Sequence, residues 1–234
     1  GTFASRGATL VGTATYLACQ KILEKIYATA AKAFDVPVDQ IDLCEGSVCI
    51  KGKPEQFISL GDLASRANPM RGAVEPGVEP GLEATAYYAP PHGATGSGAC
   101  AVILDIDPET YKPKIDRFVI VHDCGTVINP LLLDGQIHGG VSMGVGNAFY
   151  EHMVYDENGQ LLTASFMDYL MPQATDMPSK IEMGHGHTKS PLNPLGLKGV
   201  GEAGTLPVPP AFAQAIEDAF SEYPVEILES NLNP

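Results

Sequence analysis

One carboxylate, Glu202, stands among three glycines in the run Gly199-Val200-Gly201-Glu202-Ala203-Gly204. Glycines let a backbone take turns closed to other residues and bring it close to a ligand. Prolines follow at 207, 209 and 210, and Phe212, Ala215, Ile216, Ala219 and Phe220 then form a regular stripe. That stripe predicts a helix over about 209–221. Such a helix points unpaired N–H groups back at the loop. The loop thus presents a lone Glu on bare backbone beside a helix N-terminus, a setting for a proton acceptor. Taken alone, these residues equally describe a Gly-rich turn carrying a solvated Glu, because a Gly-rich loop is a weak motif.

Two other stretches hold residues able to do chemistry. Ser5, Arg6 and Thr9 precede a helix over about 9–34, where Val11, Ala18, Ile22, Leu23, Ile26, Ala30 and Ala33 share one face and Lys21, Glu24, Lys25 and Lys32 the other. Its N-terminus suits an anion or a phosphate, and ordinary capping is the plainer account. Asn129-Pro130 reads as an N-cap with Pro in the first turn of a second helix, running to about Tyr150. That helix contains Gly135, Gly139, Gly140, Gly144 and Gly146. Each glycine costs about 1 kcal/mol against Ala in a helix interior. So many together imply that another helix or a ligand comes very close. Gln136 and His138 lie in the same run and, by themselves, read as a packing amide and a satisfied histidine. His185 and His187 lack a third ligand nearby and read as surface histidines.

The elements that must position these groups mix strands and helices without regular alternation, which predicts an α+β class. Short strands are expected over 38–60 around Glu45-Gly46-Ser47, then a short helix near 60–66. The Pro- and Gly-rich stretch 68–83 is a loop or a lobe boundary. Strands follow at about 99–107 and 114–123, turned by Asp107-Pro108-Glu109-Thr110. In the second, Val119, Val121 and Asp123 alternate with Ile120 and His122, so one strand face is mixed. A hairpin is expected over 153–164, an extended piece ending at Asp168-Tyr169-Leu170-Met171-Pro172, a long ordered loop over 173–198, and a peripheral tail over 225–234.

The chain has 234 residues, 44% hydrophobic and 18% charged, which allows one large domain or two lobes with a sizeable core. A net charge of −14 argues against nucleic acid or an anionic membrane face as partner. Five scattered cysteines fit a reducing cytosol, and Cys44 and Cys49 read as two thiols on neighbouring strands. No iron–sulfur spacing, membrane-length apolar run or signal peptide is evident, so a cytoplasmic location is expected. The chain opens inside a motif, which points to a fragment or one product of a divided gene.

Several stretches stand in a telling order. They are Gly1-Thr2-Phe3-Ala4-Ser5-Arg6, Asp123-Cys124-Gly125 with Ile128-Asn129-Pro130, Asp134-Gly135-Gln136-Ile137-His138-Gly139-Gly140, Asp168-Tyr169-Leu170-Met171-Pro172, and the run from Leu197 to Thr205. Together they resemble the molybdenum hydroxylases: xanthine dehydrogenases, aldehyde oxidoreductases and the large subunits of aerobic carbon monoxide dehydrogenases. The likeness covers essentially the whole chain and the C-terminal part of that family's molybdopterin-binding subunit. It implies a molybdopterin cofactor, in its cytosine dinucleotide form, carrying molybdenum. Water supplies the oxygen, and electrons leave through [2Fe–2S] clusters and FAD on partner subunits or domains.

On this resemblance Glu202 falls on the general-base position, in a tight and partly dry loop. Ala4, Ser5, Arg6, Gly7, Ala8 and Thr9 fall on a pterin or dinucleotide phosphate contact. Gln136 falls on an amide near the molybdenum ligands or pterin, with Gly139, Gly140 and Gly201 admitting the cofactor closely. No residue here is implied as a direct ligand of the metal. The family often has Gly-Ala-His where this chain has Gly98-Ala99-Cys100. The family's long upstream portion, its iron–sulfur modules and its flavin module are absent from the sequence. The resemblance therefore implies a heteromeric oxidoreductase of which this chain alone is inactive; the alternative is a non-catalytic remnant or assembly piece, against which the presence of Glu202 and Gln136 counts. The substrate options are aldehydes, purines, N-heteroaromatics, aryl-CoA thioesters or carbon monoxide.

Overall fold

The computed structural model of the protein describes residues 3–71, 74 and 79–232; Gly1 and Thr2 of the first motif lie outside them. Two compact units divide the chain. Leu10–Ala89 make one, and the residues up to Thr9 with those from Pro90 onward make the other. The second boundary lies past the Pro- and Gly-rich 68–83 stretch.

In the Leu10–Ala89 unit, helix α1 (Thr13–Phe34) buries Ile26, Ala30 and Ala31 together with Ile41, Val48 and Leu63. Val11, which the periodicity assigns to that face, is exposed instead. Gly7–Gly12 form a π-turn, whose wider winding takes Val11 out of the α-helical register. Strands β1 (Ile41–Cys44), β2 (Ser47–Ile50) and β3 (Lys53–Ser59) form an antiparallel meander. Glu45 and Gly46, with φ of 32° and 80°, make the two-residue turn that matches strand twist. Ser59 caps α2 (Leu60–Arg66) by accepting from the Asp62 N–H at 3.0 Å. Lys21 and Lys25 donate to the carbonyls of Thr85 and Glu83 at 2.9 and 2.7 Å, tying the returning chain to α1. Cys44 and Cys49 are joined as a disulfide, which corrects the reading of two separate thiols. The tight β1–β2 turn brings their Cα atoms to 6.3 Å, within bridging range.

The other unit carries a three-stranded sheet. β4 (Ser97–Ile106) and β5 (Pro113–Asp123) pair antiparallel, and β6 (Ile181–Gly186) runs parallel to β5. The sequence pattern missed β6. Gly184 and Gly186 weaken any strand signal, yet the pairing needs them small: a Cβ on Gly186 would stand 2.9 Å from Asp123 Cβ. Asn129 caps α3 (Pro130–Phe149), its side-chain oxygen accepting from the Leu132 N–H at 3.1 Å. Helix α4 (Val208–Ala219) follows the Gly-rich loop. Both helices pack on the sheet around Phe118, Ile120, Ile137, Val141, Val145, Val208 and Phe212. The Phe212 ring lies 4.8 Å from Phe149 and 6.1 Å from Phe118. Burying such a side chain stabilises by about 1.5–3 kcal/mol. Gly144 lets α3 and α4 meet, since a Cβ there would lie 2.5 Å from Val208 Cβ.

The 153–164 hairpin is short: its antiparallel bridge Tyr155↔Leu161 is flanked by the Asp156 N–H donating to the Gln160 carbonyl at 2.9 Å and the Leu162 N–H donating to the Val154 carbonyl at 2.8 Å. Two further expectations need correction. The chain at 165–168 turns rather than extends, the Asp168 N–H donating to the Ser165 carbonyl. The tail is not peripheral: the Leu232 N–H donates to the Ala148 carbonyl at 2.6 Å and its side chain packs on the core. The turn is held locally, Ser165 Oγ donating to the Asp168 carboxylate at 2.9 Å and accepting from the Met167 N–H at 3.2 Å, whereas the tail is placed by contacts with the folded unit that the local pattern does not show. Among the described residues, no helix is long and apolar enough to cross a membrane.

The end of β5 is clasped to the chain that leads into the Gly-rich loop. Asp123 accepts from the Gly125 N–H at 2.8 Å and from the Thr188 N–H at 3.1 Å, and its carboxylate lies 3.4 Å from Lys198 Nζ. These donors, Gly125 foremost, hold the Asp123 carboxyl well below the usual carboxylate range. Lys198 N–H in turn donates to the Cys124 carbonyl at 2.9 Å.

Two outcomes follow from this packing. Gly144→Ala is expected to destabilise by about 1–3 kcal/mol through overpacking against Val208. Gly135→Ala, whose Cβ would meet nothing within 4 Å, is expected to stabilise by up to about 1 kcal/mol; urea unfolding of both variants measures the contrast. A carboxylate with a depressed folded pKa stabilises above its unfolded value of about 3.9 and loses that contribution as pH falls toward the folded value. Asp123→Asn should therefore be less stable than the wild type at pH 7, with the deficit shrinking as urea midpoints are followed down from pH 5 to pH 2.

Candidate functional site

The loop over 199–204 is a series of turns, with the Ala203 N–H donating to the Val200 carbonyl and the Thr205 N–H to the Glu202 carbonyl. It is held from several sides. The Gly199 N–H donates to the Ala94 carbonyl at 2.7 Å. The Gly201 N–H donates to Ser5 Oγ at 3.0 Å, and Gln136 Nε2 donates to the Gly201 carbonyl at 2.8 Å. Thr205 Oγ1 donates to the Gly140 carbonyl at 3.1 Å. Both polar groups of Gly201, the residue before Glu202, are therefore bound by side chains distant in sequence.

The glycines are what this closeness requires. A Cβ at Gly199 would lie 2.9 Å from Ser5 Cβ, and one at Gly201 would lie 3.1 Å from Ser5 Oγ. Gly140 departs from the expectation that it faces a cofactor. It is buried, and a Cβ on it would stand 2.8 Å from the Gly204 Cα, so its smallness lets helix α3 touch the loop. Gly139, one residue earlier, has nothing within 4 Å of such a Cβ and opens outward. The Glu202 side chain is exposed, so this chain's own atoms do not enclose it in the partly dry loop expected.

The amino-terminal turn reaches the loop through Ser5. Ala4 and Ser5 both take left-handed backbone angles, φ 52° and 51°. Such conformations cost about 1–3 kcal/mol each in residues other than glycine and concentrate at functional sites. Thr9 is buried and its hydroxyl donates to the Ser5 carbonyl at 3.2 Å. The Arg6 guanidinium lies 4.9 Å from the Phe3 ring centroid and makes no ion pair among the described residues. Gly7 is open, since a Cβ on it would meet nothing within 4 Å, and Ala8 is exposed. The structure thus gathers Ser5, Gln136, Gly201 and Glu202 at one place, with Ala4, Arg6 and Gly7 adjoining Ser5 in the chain.

A buried polar cluster adjoins the loop and was not singled out from the sequence. His122 is 5% exposed, and its Nε2 lacks a hydrogen-bond partner. Burial, above all, pushes its pKa below the ordinary histidine value, while the Gly199 carbonyl and Asp123 act in the opposite sense. His185, expected on the surface, is half-buried; its Nε2 bonds Asp134 Oδ1 at 2.8 Å across to α3. The correction has a simple cause, since β6 carries His185 onto the sheet face that packs against α3. The only sequence signal was the mixed face of β5, where His122 shares the buried side with Phe118 and Ile120. His138 is exposed, its Nδ1 beside the Asp134 carbonyl at 2.8 Å. His187 is exposed.

Comparison with known proteins gives this geometry a context. A family model described as "Molybdopterin cofactor-binding domain" matches residues 1–178. The large chain of carbon monoxide dehydrogenase from Afipia carboxidovorans is 38% identical over 221 residues, 94% of this chain and 27% of its own. The gamma subunit of the 6-hydroxypseudooxynicotine dehydrogenase complex of Paenarthrobacter nicotinovorans is 38% identical over 95% of this chain and 28% of its own. Quinoline 2-oxidoreductase from Pseudomonas putida 86 superposes with a TM-score of 0.86 at 34% identity, over 99% of this chain and 29% of its own. The chain thus spans under a third of the length of these relatives.

The residues present fit such a cofactor. The amino-terminal turn offers helix N–H groups, the Arg6 guanidinium and no acidic residue in its first turn, which suits a phosphate. The bare Cα atoms of Gly7 and Gly139 leave room for a close approach. On the matched domain, the level of identity and this fit, the chain belongs to the molybdopterin cofactor-binding domain family of the molybdenum hydroxylases.

Proposed function

We propose that this chain forms part of a molybdenum-dependent hydroxylase or dehydrogenase in which Glu202 is the general base. When bound, molybdopterin supplies the molybdenum redox chemistry that oxidises a carbon centre with oxygen drawn from water. The observation that carries the reading is the pair of hydrogen bonds on Gly201, from Ser5 and Gln136. A proton acceptor works only when its reach is set to within a fraction of an ångström. With both polar groups of the preceding residue tied, the Glu202 backbone has little freedom, while its side chain stays open to whatever covers the loop.

The other residues bind rather than react. Ala4, Ser5, Arg6, Gly7, Ala8 and Thr9 offer N–H groups and one cation to the phosphate of the cofactor, in its cytosine dinucleotide form. Gln136 has an amide oxygen left over after its nitrogen bonds Gly201, and this acceptor is offered to the pterin. Gly139 admits the cofactor over α3. The substrate pocket and the cover that excludes water come from an upstream region of the subunit, and electrons pass to [2Fe–2S] and FAD partners in the cytoplasm. The chain alone is therefore inactive. The oxidised centre is an aldehyde, an N-heteroaromatic or a related carbon, and the name of quinoline 2-oxidoreductase supports the N-heteroaromatic option.

In the assembled enzyme, Glu202→Gln is expected to cut kcat by about 10²–10⁴-fold while molybdenum content stays near normal; undiminished turnover at full metal loading would refute the role. Gly139→Ala separates binding from folding. Its urea midpoint should hold or rise, by up to about 1 kcal/mol, while molybdenum and pterin recovered per protein fall. Full cofactor content in that variant would remove Gly139 from the binding surface.

A further inference from the structure

His122 and His185 are direct partners in the parallel β5–β6 pairing. Partners in a sheet point to the same face, here the face covered by α3, because Asp134 of α3 bonds His185. Two imidazoles thus lie side by side at the polar end of an otherwise apolar layer of Phe118, Ile120, Ile181 and Met183. Each has one buried ring nitrogen without a partner, Nε2 of His122 and Nδ1 of His185. A buried polar group left unpaired carries a desolvation cost, so two of them beside one loop call for an account.

The surroundings of His122 supply it. A Cβ on Gly96 would stand 2.7 Å from His122 Cε1 and 2.6 Å from the Gly199 carbonyl oxygen. A Cβ on Gly98 would stand 3.2 Å from His122 Nδ1. The ring therefore fills the space that side chains at 96 and 98 would take, and it shares one small space with the first carbonyl of the loop. That carbonyl can only accept a hydrogen bond, and His122 Nε2, which has no other partner, is the donor within the ring's compass. On the His185 side, the Asp134 carboxylate accepts, which assigns the His185 proton to Nε2 and leaves its Nδ1 an acceptor.

We propose that His122 is a positioning residue for Glu202: its ring, walled in by Gly96 and Gly98 and flanked by the Asp134-bound His185, sets where the Gly199 carbonyl lies and so fixes the entry of the 199–202 segment. This rests on the reading of Glu202 as the base. It adds a fourth restraint to the Ala94, Ser5 and Gln136 bonds, on the carbonyl side of the residue whose N–H already donates to Ala94. The charged and titratable groups acting on His122 are Asp123, His185 and Lys198. Burial and Lys198 oppose a positive charge there, as His185 does when it is itself protonated, so the pair works with His122 neutral near pH 7. Protonation at lower pH would draw Nε2–H and the Gly199 carbonyl together and move the loop.

Two experiments decide it. In the full chain labelled with ¹⁵N at histidine rings and glycine amides, His122 should titrate below the ordinary value of about 6.5. The Gly199 and Gly201 amide signals should follow the same midpoint, and His185→Gln should raise both midpoints together. Glycine amides indifferent to His122 ionisation would overturn the proposal. In the assembled enzyme, His122→Phe fills the space without a donor, and kcat should fall at least about tenfold with KM and molybdenum content unchanged; His122→Gln, which restores an N–H, should recover most of the loss. Wild-type kcat in the Phe variant would also overturn it. If the Phe variant does not fold, the titration still decides. The base assignment fails separately, through an active Glu202→Gln enzyme whose glycine amides still follow His122.

Discussion

One residue governs the candidate site. The N–H of Gly201 and its carbonyl are both taken by side chains, Ser5 Oγ and Gln136 Nε2, at sequence separations of 196 and 65. A loop backbone left to water would sample many conformations, at a cost of about 1–2 kcal/mol per residue to order. Here the ordering is supplied by partners that are themselves fixed, Ser5 by its turn and Gln136 by a capped helix packed on the core. A carboxylate on the next residue inherits that rigidity without itself being buried. This separates two properties often found together at catalytic sites, fixed position and enclosure.

The glycines serve contact more than flexibility. Gly140 against Gly204, Gly144 against Val208 and Gly199 against Ser5 are places where a methyl group would collide with backbone or a packed side chain. They let α3 lie directly against the loop and α4, which in turn puts Gln136 within reach of Gly201. Gly135 and Gly139 face open space on the same helix. Internal contact therefore accounts for the cost at Gly140 and Gly144, and the proposed approach of a cofactor would account for it at Gly139.

The site also depends on a sheet whose third strand comes from an unpromising stretch. β6 pairs with β5 and brings His185 to Asp134, while Asp123 at the end of β5 binds the Thr188 N–H and neighbours Lys198. The loop that carries Glu202 thus emerges from a polar clasp at one end and enters α4 at the other. Its geometry follows from the core around Phe118 and Phe212 as much as from its own residues.

Local patterns were enough for α1, α2, α3 and α4, the β1–β2–β3 meander and the β4–β5 pair, because each has a strong cap, turn or apolar period within its own span. Ser59 before Leu60, Asn129 before Pro130, and Glu45-Gly46 between strands are signals that need no distant partner. The ordered motifs, through the family they resemble, singled out Glu202, Gln136 and the amino-terminal turn as candidates; residue types alone read them as a solvated Glu, a packing amide and ordinary capping. Tertiary structure decided the rest. β6 forms because β5 offers it an edge, and Gly140 turns inward because Gly204 lies there. Ser5 and Gln136 meet at Gly201 only through the folding of the long chain between them. His122 became visible as part of the site only when Gly96, Gly98 and Gly199 closed around it, since burial and missing partners are properties of a packed interior and not of a sequence pattern.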